Sequence, residues 1–381
     1  MGRRDDEQRG EFTDQAPTLG VSLGVRYGRM ATGLLLGLAY GEARALELAR
    51  RTAAGPVLRG GVGAQLAAST ADSLIRAQSR LDLAGPVLDE ADQGVVKARG
   101  ITPVLWDGLI RWGGAQGMTD GIVGLISRAA DDSFFGGWLA GLPAMAERRG
   151  SAPATVKALT IGIPGTPERP VGTSHGSHGL VRTLPLAALI VSHVAEDLPR
   201  RALESCALTH GEPTAMYATG ASVMTLAHHV MTGHGLEAGL AFASELLLVE
   251  GPHLVRDRFE AVLRSRTDQP RSQGRLRALT PDRSALSAAA GALYAFGDDL
   301  EADLAFITGS TSDLPAMGAV LGALHGVVRG PESLEAARLA RCEMTWPMEV
   351  LGRDLGLVLA EWPAGSDERL PLPGWARRYP A

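Results

Sequence analysis

Gly176-Ser177-His178-Gly179-Leu180-Val181-Arg182 is a glycine-rich run that ends on a guanidinium. Backbone N–H groups in such a loop can cradle a phosphate, and the arginine adds charge and paired donors. His210 follows Thr209, a candidate N-cap, and Pro213 suits the first position of a helix. His210 would then lie near a helix N-terminus, where anions are favoured. The plain alternative is a simple turn at the glycines and a cap neighbour at His210. Gly172-Thr173-Ser174-His175-Gly176 matches the G-x-S-x-G nucleophile elbow, which would make Ser174 the nucleophile of a serine hydrolase. That elbow needs a strand before it and a helix directly after it. Here Pro167-Glu168-Arg169-Pro170 precedes it and more glycine follows. His175 and His178, and separately His228, His229 and His234, lack a third ligand at fixed spacing, so they read as solvent-facing or hydrogen-bonded rather than metal-binding.

The elements that must position these residues are helical. Val25 to Arg51 carries apolar residues at three- and four-residue spacing, and Gly55-Pro56 breaks it. Asp72 to Leu83 reads as a second helix, with Ser69 and Thr70 in its approach loop or first turn. In Asp89 to Gly117 the pattern is weaker, and Trp106 and Trp112 suit the core or a pocket wall. Pro143 to Arg149 suits a short helix. Gly150 to Gly179, rich in Pro and Gly and carrying the β-like string ALTIGIPG, reads as a long functional loop. Leu184 to Val194 is a buried helix too short to span a membrane. Helical texture continues to the end, with Asp268 to Arg277 as an exposed connection and Glu332 to Leu359 as a long final helical stretch. With no strand series alternating with the helices, the fold class is all-α. Residues 1–17 are polar and charged, a flexible tail without a signal-peptide core, and 18–381 form a single domain.

Composition bounds the partners. The 381 residues are 45% hydrophobic and 21% charged, an ordinary soluble globular balance. Only 5% are aromatic, while abundant Ala and Gly suit closely packed helices. A net charge of −5 argues against nucleic-acid binding. Cys206 and Cys342 are the only cysteines, too few for a disulfide framework or a cysteine-rich zinc site, which fits a cytoplasmic setting. Lys97 and Lys157 are the only lysines, so arginine carries nearly all the positive charge. Oligomeric state is not legible.

Five segments, in order, resemble the ADP-ribosylglycohydrolase family. Arg29 to Ala43, ending in Gly41-Glu42-Ala43, is similar to its opening helix with Gly-Asp-Ala-Leu-Gly. Ser69-Thr70-Ala71-Asp72-Ser73 is similar to its Thr-Asp-Asp-Thr. Gly176 to Leu186 resembles its Gly-Asn-Gly-Ala-Ala-Met-Arg-Val-Ala-Pro-Leu. Thr209-His210-Gly211-Glu212-Pro213 matches its Thr-His-x-x-Pro. Ala292 to Phe296, Leu300 to Leu304 and Gly318 to Ala323 frame the place of its Gly-Asp-x-Asp-Thr.

The resemblance implies an all-α fold and two magnesium or manganese ions, held by aspartates, that position a ribose and a water at the bond to be cleaved. This chain departs from that ligand set. Glu42 replaces an aspartate, and Ala71 stands at the first acidic position of Thr-Asp-Asp-Thr. Counted backward from Gly318, the two C-terminal aspartates fall on Gly309 and Thr311; counted forward from Leu300, the first falls on Asp313. Ala49 stands at a further acidic position, with Glu47 nearby. Hydroxyls can complete a coordination shell but cannot neutralise a divalent pair. The expectation is therefore a divergent enzyme without a metal, a single weakly held Mg²⁺ being the alternative. It would act on a small nucleotide or ADP-ribosyl substrate derived from NAD. Asp72, Glu42 and Asp313 are the candidate catalytic carboxylates, with His178 or His210 carrying the proton. Thr70, Ser73, Gly176, Ser177, Gly179, Arg182, His210, Ser310, Thr311 and Ser312 are the candidate substrate contacts. The alternatives are a pseudoenzyme that binds a nucleotide or partner, and a serine hydrolase using Ser174.

Overall fold

The computed structural model describes residues 16–50, 55–83, 101–118, 132–191, 197–247, 249–268, 270–361 and 373–380. The helices in chain order are α1 (Ala16–Arg50), α2 (Val62–Leu83), α3 (Thr102–Ala115), α4 (Pro143–Ala146), α5 (Pro153–Ile161), α6 (His178–Thr183), α7 (Leu198–Ala207), α8 (Pro213–Thr232) and α9 (Leu236–Leu246). They continue as α10 (His253–Asp268), α11 (Gln273–Leu279), α12 (Ala285–Ala295), α13 (Leu300–Ile307), α14 (Leu314–Val328), α15 (Ala336–Leu339), α16 (Thr345–Gly356) and α17 (Trp375–Arg378). No strand forms among the described residues; Leu58 and Cys342 make an isolated parallel bridge. The fold is all-α, as its residue pattern implies. Nor is any described helix long and apolar enough to cross a membrane.

α1 is the central element, buried on every side from Gly33 to Ala43. A helix apolar all round belongs inside a bundle. Gly33, Gly37 and Gly41 stand four apart along it and face Gly326, Gly322 and Gly318 of α14. A Cβ on Gly37 would lie 2.0 Å from the carbonyl oxygen of Gly322, so the two backbones touch and only glycine fits. Antiparallel contact at that level puts Glu42, next after Gly41, and Asp313, the N-cap residue of α14, at the same end of the crossing. α16 approaches α1 in the same way: Cβ atoms on Gly352 and Gly356 would meet the Cα atoms of Thr32 and Gly28 at 2.4 and 2.3 Å.

α2 packs on α3, α6 and α16, and the end of the chain clamps it. The Trp375 indole N–H donates to Ser79 Oγ at 2.8 Å, and Arg76 donates to the carbonyl of Pro380 at 2.6 Å. The Tyr379 hydroxyl donates to Asp354 on α16 at 2.6 Å.

The structure corrects several readings of the pattern. Ser69 and Thr70 are in the interior of α2, which begins at Val62 rather than Asp72. Gly150 to Gly179 contains α5, and the β-like string begins inside that helix: Pro153 opens it and Gly162, left-handed at φ 75°, closes it. Leu184 to Val191 is wound as a tighter 3-10 helix, buried through Leu189; residues 192–194 lie outside the described ones. Asp268 to Arg277 is not one connection, since α10 runs into it and α11 starts within it. Glu332 to Leu359 is broken into α15 and α16, with a turn of 3-10 helix before them at Pro331. Residues 1–15 of the tail and 84–100 of the weakly patterned segment lie outside the described residues.

Candidate active site

The Glu42 side chain crosses from α1 to the first turn of α2. Its Oε2 accepts the backbone N–H of Gly61 at 3.0 Å and of Ala64 at 2.7 Å, and its Oε1 accepts that of Gly63 at 2.9 Å. The first N–H groups of a helix have no partner within it, and a carboxylate satisfies them and the positive end of the dipole together. Glycines are needed there: a Cβ at Gly61 or Gly63 would lie 2.5 Å from Glu42 Oε1. Glu42 is 3% exposed. Burial pushes its carboxyl up to about 7, the three N–H donors working against the rise and the nearby Asp313 charge adding to it.

Asp313 is partly exposed at the start of α14, and the Ser177 hydroxyl donates to its Oδ2 at 2.5 Å. His178, also partly exposed, opens α6 beside it. Burial lowers the His178 pKa; the Asp313 charge opposes that and Arg182 reinforces it. Glu42, Ser177, His178 and Asp313 therefore form one cluster, drawn from α1, the α6 entry and the α14 entry.

His210 sits behind the glycine loop. A Cβ on Gly176 would lie 3.6 Å from its Nε2, and one on Gly179 3.0 Å from its Cγ. The ring is 1% exposed, and burial holds its pKa well below the ordinary histidine range, with the Arg182 charge and His178 adding to the drop. Its Nδ1 pairs with Thr209 Oγ1 at 2.7 Å. Thr209 does not cap α8; Glu212 does, accepting the N–H of Ala215 at 3.0 Å, while Pro213 occupies the first helical position.

Other candidates fall elsewhere. Arg182 is fully buried and donates to the carbonyls of Ser205 and Cys206 and to Thr209 Oγ1, at 2.6, 3.2 and 3.0 Å. It ties down the end of α7 instead of reaching a phosphate, and burial pulls its pKa down to about 10. Gly179 is glycine because Cys206 Sγ would lie 2.9 Å from a Cβ there. Asp72 is buried in an ion pair with Arg76 at 2.7 Å, and Arg111 lies 3.8 Å away. It is eight residues past Ala64, about 12 Å along the helix axis, and so apart from the Glu42–Asp313 cluster. Thr70 is buried in the same stretch, and Ser73 donates to the Ser69 carbonyl and accepts from Arg111. Ser310 and Thr311 bind Thr280, at its Oγ1 and carbonyl, which fastens the turn before Asp313. Ser312 is buried in that turn, its N–H held by Ser310 Oγ at 3.0 Å.

A cleft of about 350 Å³ opens along residues 172–176, with Lys157 of α5 and Thr209 on its walls. Ser174 lines it and accepts the N–H of Gly176 at 3.3 Å, in a loop that follows a helix and not a strand. Residue pattern alone missed Lys157, because α5 was hidden among prolines and glycines. It also missed Gly61 and Gly63. The signal for these was a Gly-Gly-Val-Gly run before an apolar helix, the backbone pattern for receiving an anion.

The family model described as ADP-ribosylglycohydrolase matches residues 25–365. A solved structure described as an ADP-ribosylglycohydrolase-related protein complex aligns with a TM-score of 0.56 at 20% identity, covering 88% of this chain and 99% of its own. At that identity the likeness speaks for the fold. No curated protein matches the sequence. With the family model spanning most of the chain, and the helical bundle in agreement, this protein belongs to the ADP-ribosylglycohydrolase family.

Proposed function

We propose that this chain is a glycosidase-type hydrolase of a small ribosyl or ADP-ribosyl compound derived from NAD, working without a pair of divalent cations. The observation that carries this reading is the saturation of Glu42 by three backbone N–H groups. A cation at those oxygens would meet the positive ends of three N–H dipoles, whereas Mg²⁺ requires a shell of oxygen ligands, carboxylates foremost. The start of α2, Gly61-Val62-Gly63-Ala64, offers neither carboxylate nor hydroxyl side chains. Among the described residues no group of three or more His, Cys, Asp and Glu is placed so that it could hold a metal ion. The donor set does not fit the family's metal pair.

Cleavage of a ribosyl bond passes through an oxocarbenium-like state that a carboxylate stabilises while another group moves the proton. Asp313, oriented by Ser177 and partly exposed, is the carboxylate able to face a sugar. His178 beside it is the proton carrier. Glu42 is too deeply buried to touch a ligand and acts as a positioning residue for the start of α2. Lys157 and the 172–176 backbone suit the anionic part of the substrate.

Binding of a nucleotide without turnover is the second reading. What favours it is the burial of Glu42, which leaves one accessible carboxylate where glycoside hydrolysis commonly uses two. Release of ADP-ribose from ADP-ribosyl substrates, measured beside ligand binding, separates the readings. Turnover that is lost in Asp313→Asn with binding retained supports the hydrolase. Binding with no turnover in the unaltered protein supports the second reading, and turnover that depends instead on Ser174 would indicate a serine hydrolase.

A further inference from the structure

α10 and α11 flank a second cleft of about 220 Å³, lined by Arg264 and Ser265 of α10, Ser272 and Arg275 of α11 and its entry, and Tyr294 of α12. It shares no lining residue with the cleft along 172–176. The surrounding sequence is rich in arginine, and most of these guanidinium groups are committed. Arg258 donates to the carbonyl of Leu279, Arg266 to those of Leu293 and Phe296 and to Glu237, Arg271 to Ala295 and Asp303, and Arg277 to Gly309.

The two arginines that face the cleft differ. Arg275 is exposed and its guanidinium meets no carboxylate or carbonyl among the described residues. Arg264 has an ion pair with Glu260 at 3.3 Å, with both side chains about half exposed or more. Such surface pairs contribute little and yield readily to a better partner. The hydroxyls add donors of the same sense. Tyr294 accepts the N–H of Ser272 at 2.9 Å, and Ser272 Oγ accepts the N–H of Arg275 at 3.2 Å, so each keeps its own proton to give. Apart from Ser265, which donates to the carbonyl of Ala261 at 2.6 Å, the polar lining is made of groups seeking an acceptor, and no carboxylate lies in it.

We propose that this cleft is an anion-binding site for a phosphorylated small molecule, gripped between Arg264 and Arg275 with Tyr294 and Ser272 as supporting donors. Two guanidinium groups lining one cleft from different helices suit a phosphate or pyrophosphate, whose oxygens take charge-assisted bonds from both. The site connects to the candidate active site through α11. Gln273 donates to the Phe306 carbonyl at 2.9 Å and Arg277 to that of Gly309 at 3.1 Å, gripping the chain a few residues before Asp313.

Calorimetric titration of inorganic pyrophosphate into the full chain tests this, with Lys157→Ala as the background so that the other cleft contributes less. The site predicts binding that weakens about tenfold or more when Arg264 and Arg275 are both changed to Gln. Both side chains are on the surface, so that variant should fold, and circular dichroism confirms it. Arg283→Gln, an exposed arginine outside the cleft, should leave binding unchanged. Absence of pyrophosphate binding, or equal affinity in the Arg264→Gln/Arg275→Gln and Arg283→Gln variants, would overturn the proposal.

Discussion

The backbone N–H of Gly63 points into the carboxylate of Glu42 at 2.9 Å, joining α1 to the first turn of α2 at the floor of the candidate site. A glycine and an acid are coupled there because neither tolerates change in the other. A Cβ at residue 63 would lie 2.5 Å from Glu42 Oε1 and 2.9 Å from a methyl of Val181. Gly63→Ala should therefore displace Glu42, expose orphaned N–H groups, and lower stability by about 1–3 kcal/mol. Urea unfolding followed by circular dichroism measures this.

Glu42 also sets a pH dependence. Its folded pKa, about 7, lies above the ordinary value of 4.5, so the folded state holds this proton more tightly than the unfolded chain. Its contribution to stability is fully present below about pH 4.5 and is lost as pH rises through about 7. The loss is on the order of 3 kcal/mol. Unfolding midpoints compared across that window in the unaltered protein and in Glu42→Gln should show the decline only in the former.

The contact of α1 with α14 is the least forgiving part of the fold. A Cβ on Gly322 would lie 1.9 Å from the Gly37 carbonyl oxygen, backbone that cannot move without parting the helices. Gly322→Ala should cost about 3 kcal/mol or more, or yield no folded protein. Gly274→Ala serves as the contrast. A Cβ there meets nothing within 4 Å, in the first turn of α11, so this change should be neutral or stabilising by about 0.5–1 kcal/mol. Thermal melts of the two variants decide the comparison.

Asp72 separates structure from chemistry. It pairs with Arg76, which also holds the carbonyls of Gly136 and Pro380. Asp72→Asn should destabilise the clamp on the chain terminus while leaving ligand affinity unchanged. Arg76→Met should cost more, about 3 kcal/mol, because it leaves the buried Asp72 carboxylate with only the longer Arg111 contact at 3.8 Å. Stability and ligand titrations on both variants check this.

The helical repeat made the all-α architecture legible, since α1, α8 and α14 each carry long apolar faces. What the repeat could not show was where helices begin when the cap comes from elsewhere in the chain. α2 starts at Val62 because Glu42 supplies the cap from α1, and no local Ser, Thr or Asp marks the boundary. The helix therefore starts about two turns before Ser69. Arg76, four residues after Asp72, was a readable ion-pair spacing. The same spacing fits an exposed helix face, and burial distinguishes the two. Arg182 likewise looked like a phosphate ligand until its carbonyl partners at the end of α7 were visible. Asp313, His178 and Ser177 were legible as types, but their meeting depends on the glycine contact between α1 and α14.

Calorimetric titration of Mn²⁺ into the metal-stripped protein tests the central claim most directly. With Glu42 saturated by N–H groups and Asp313 the one partly exposed carboxylate of the cluster, the protein should show no tight binding of two ions. Tight binding of two Mn²⁺ per chain, weakened by Asp313→Asn, would contradict it.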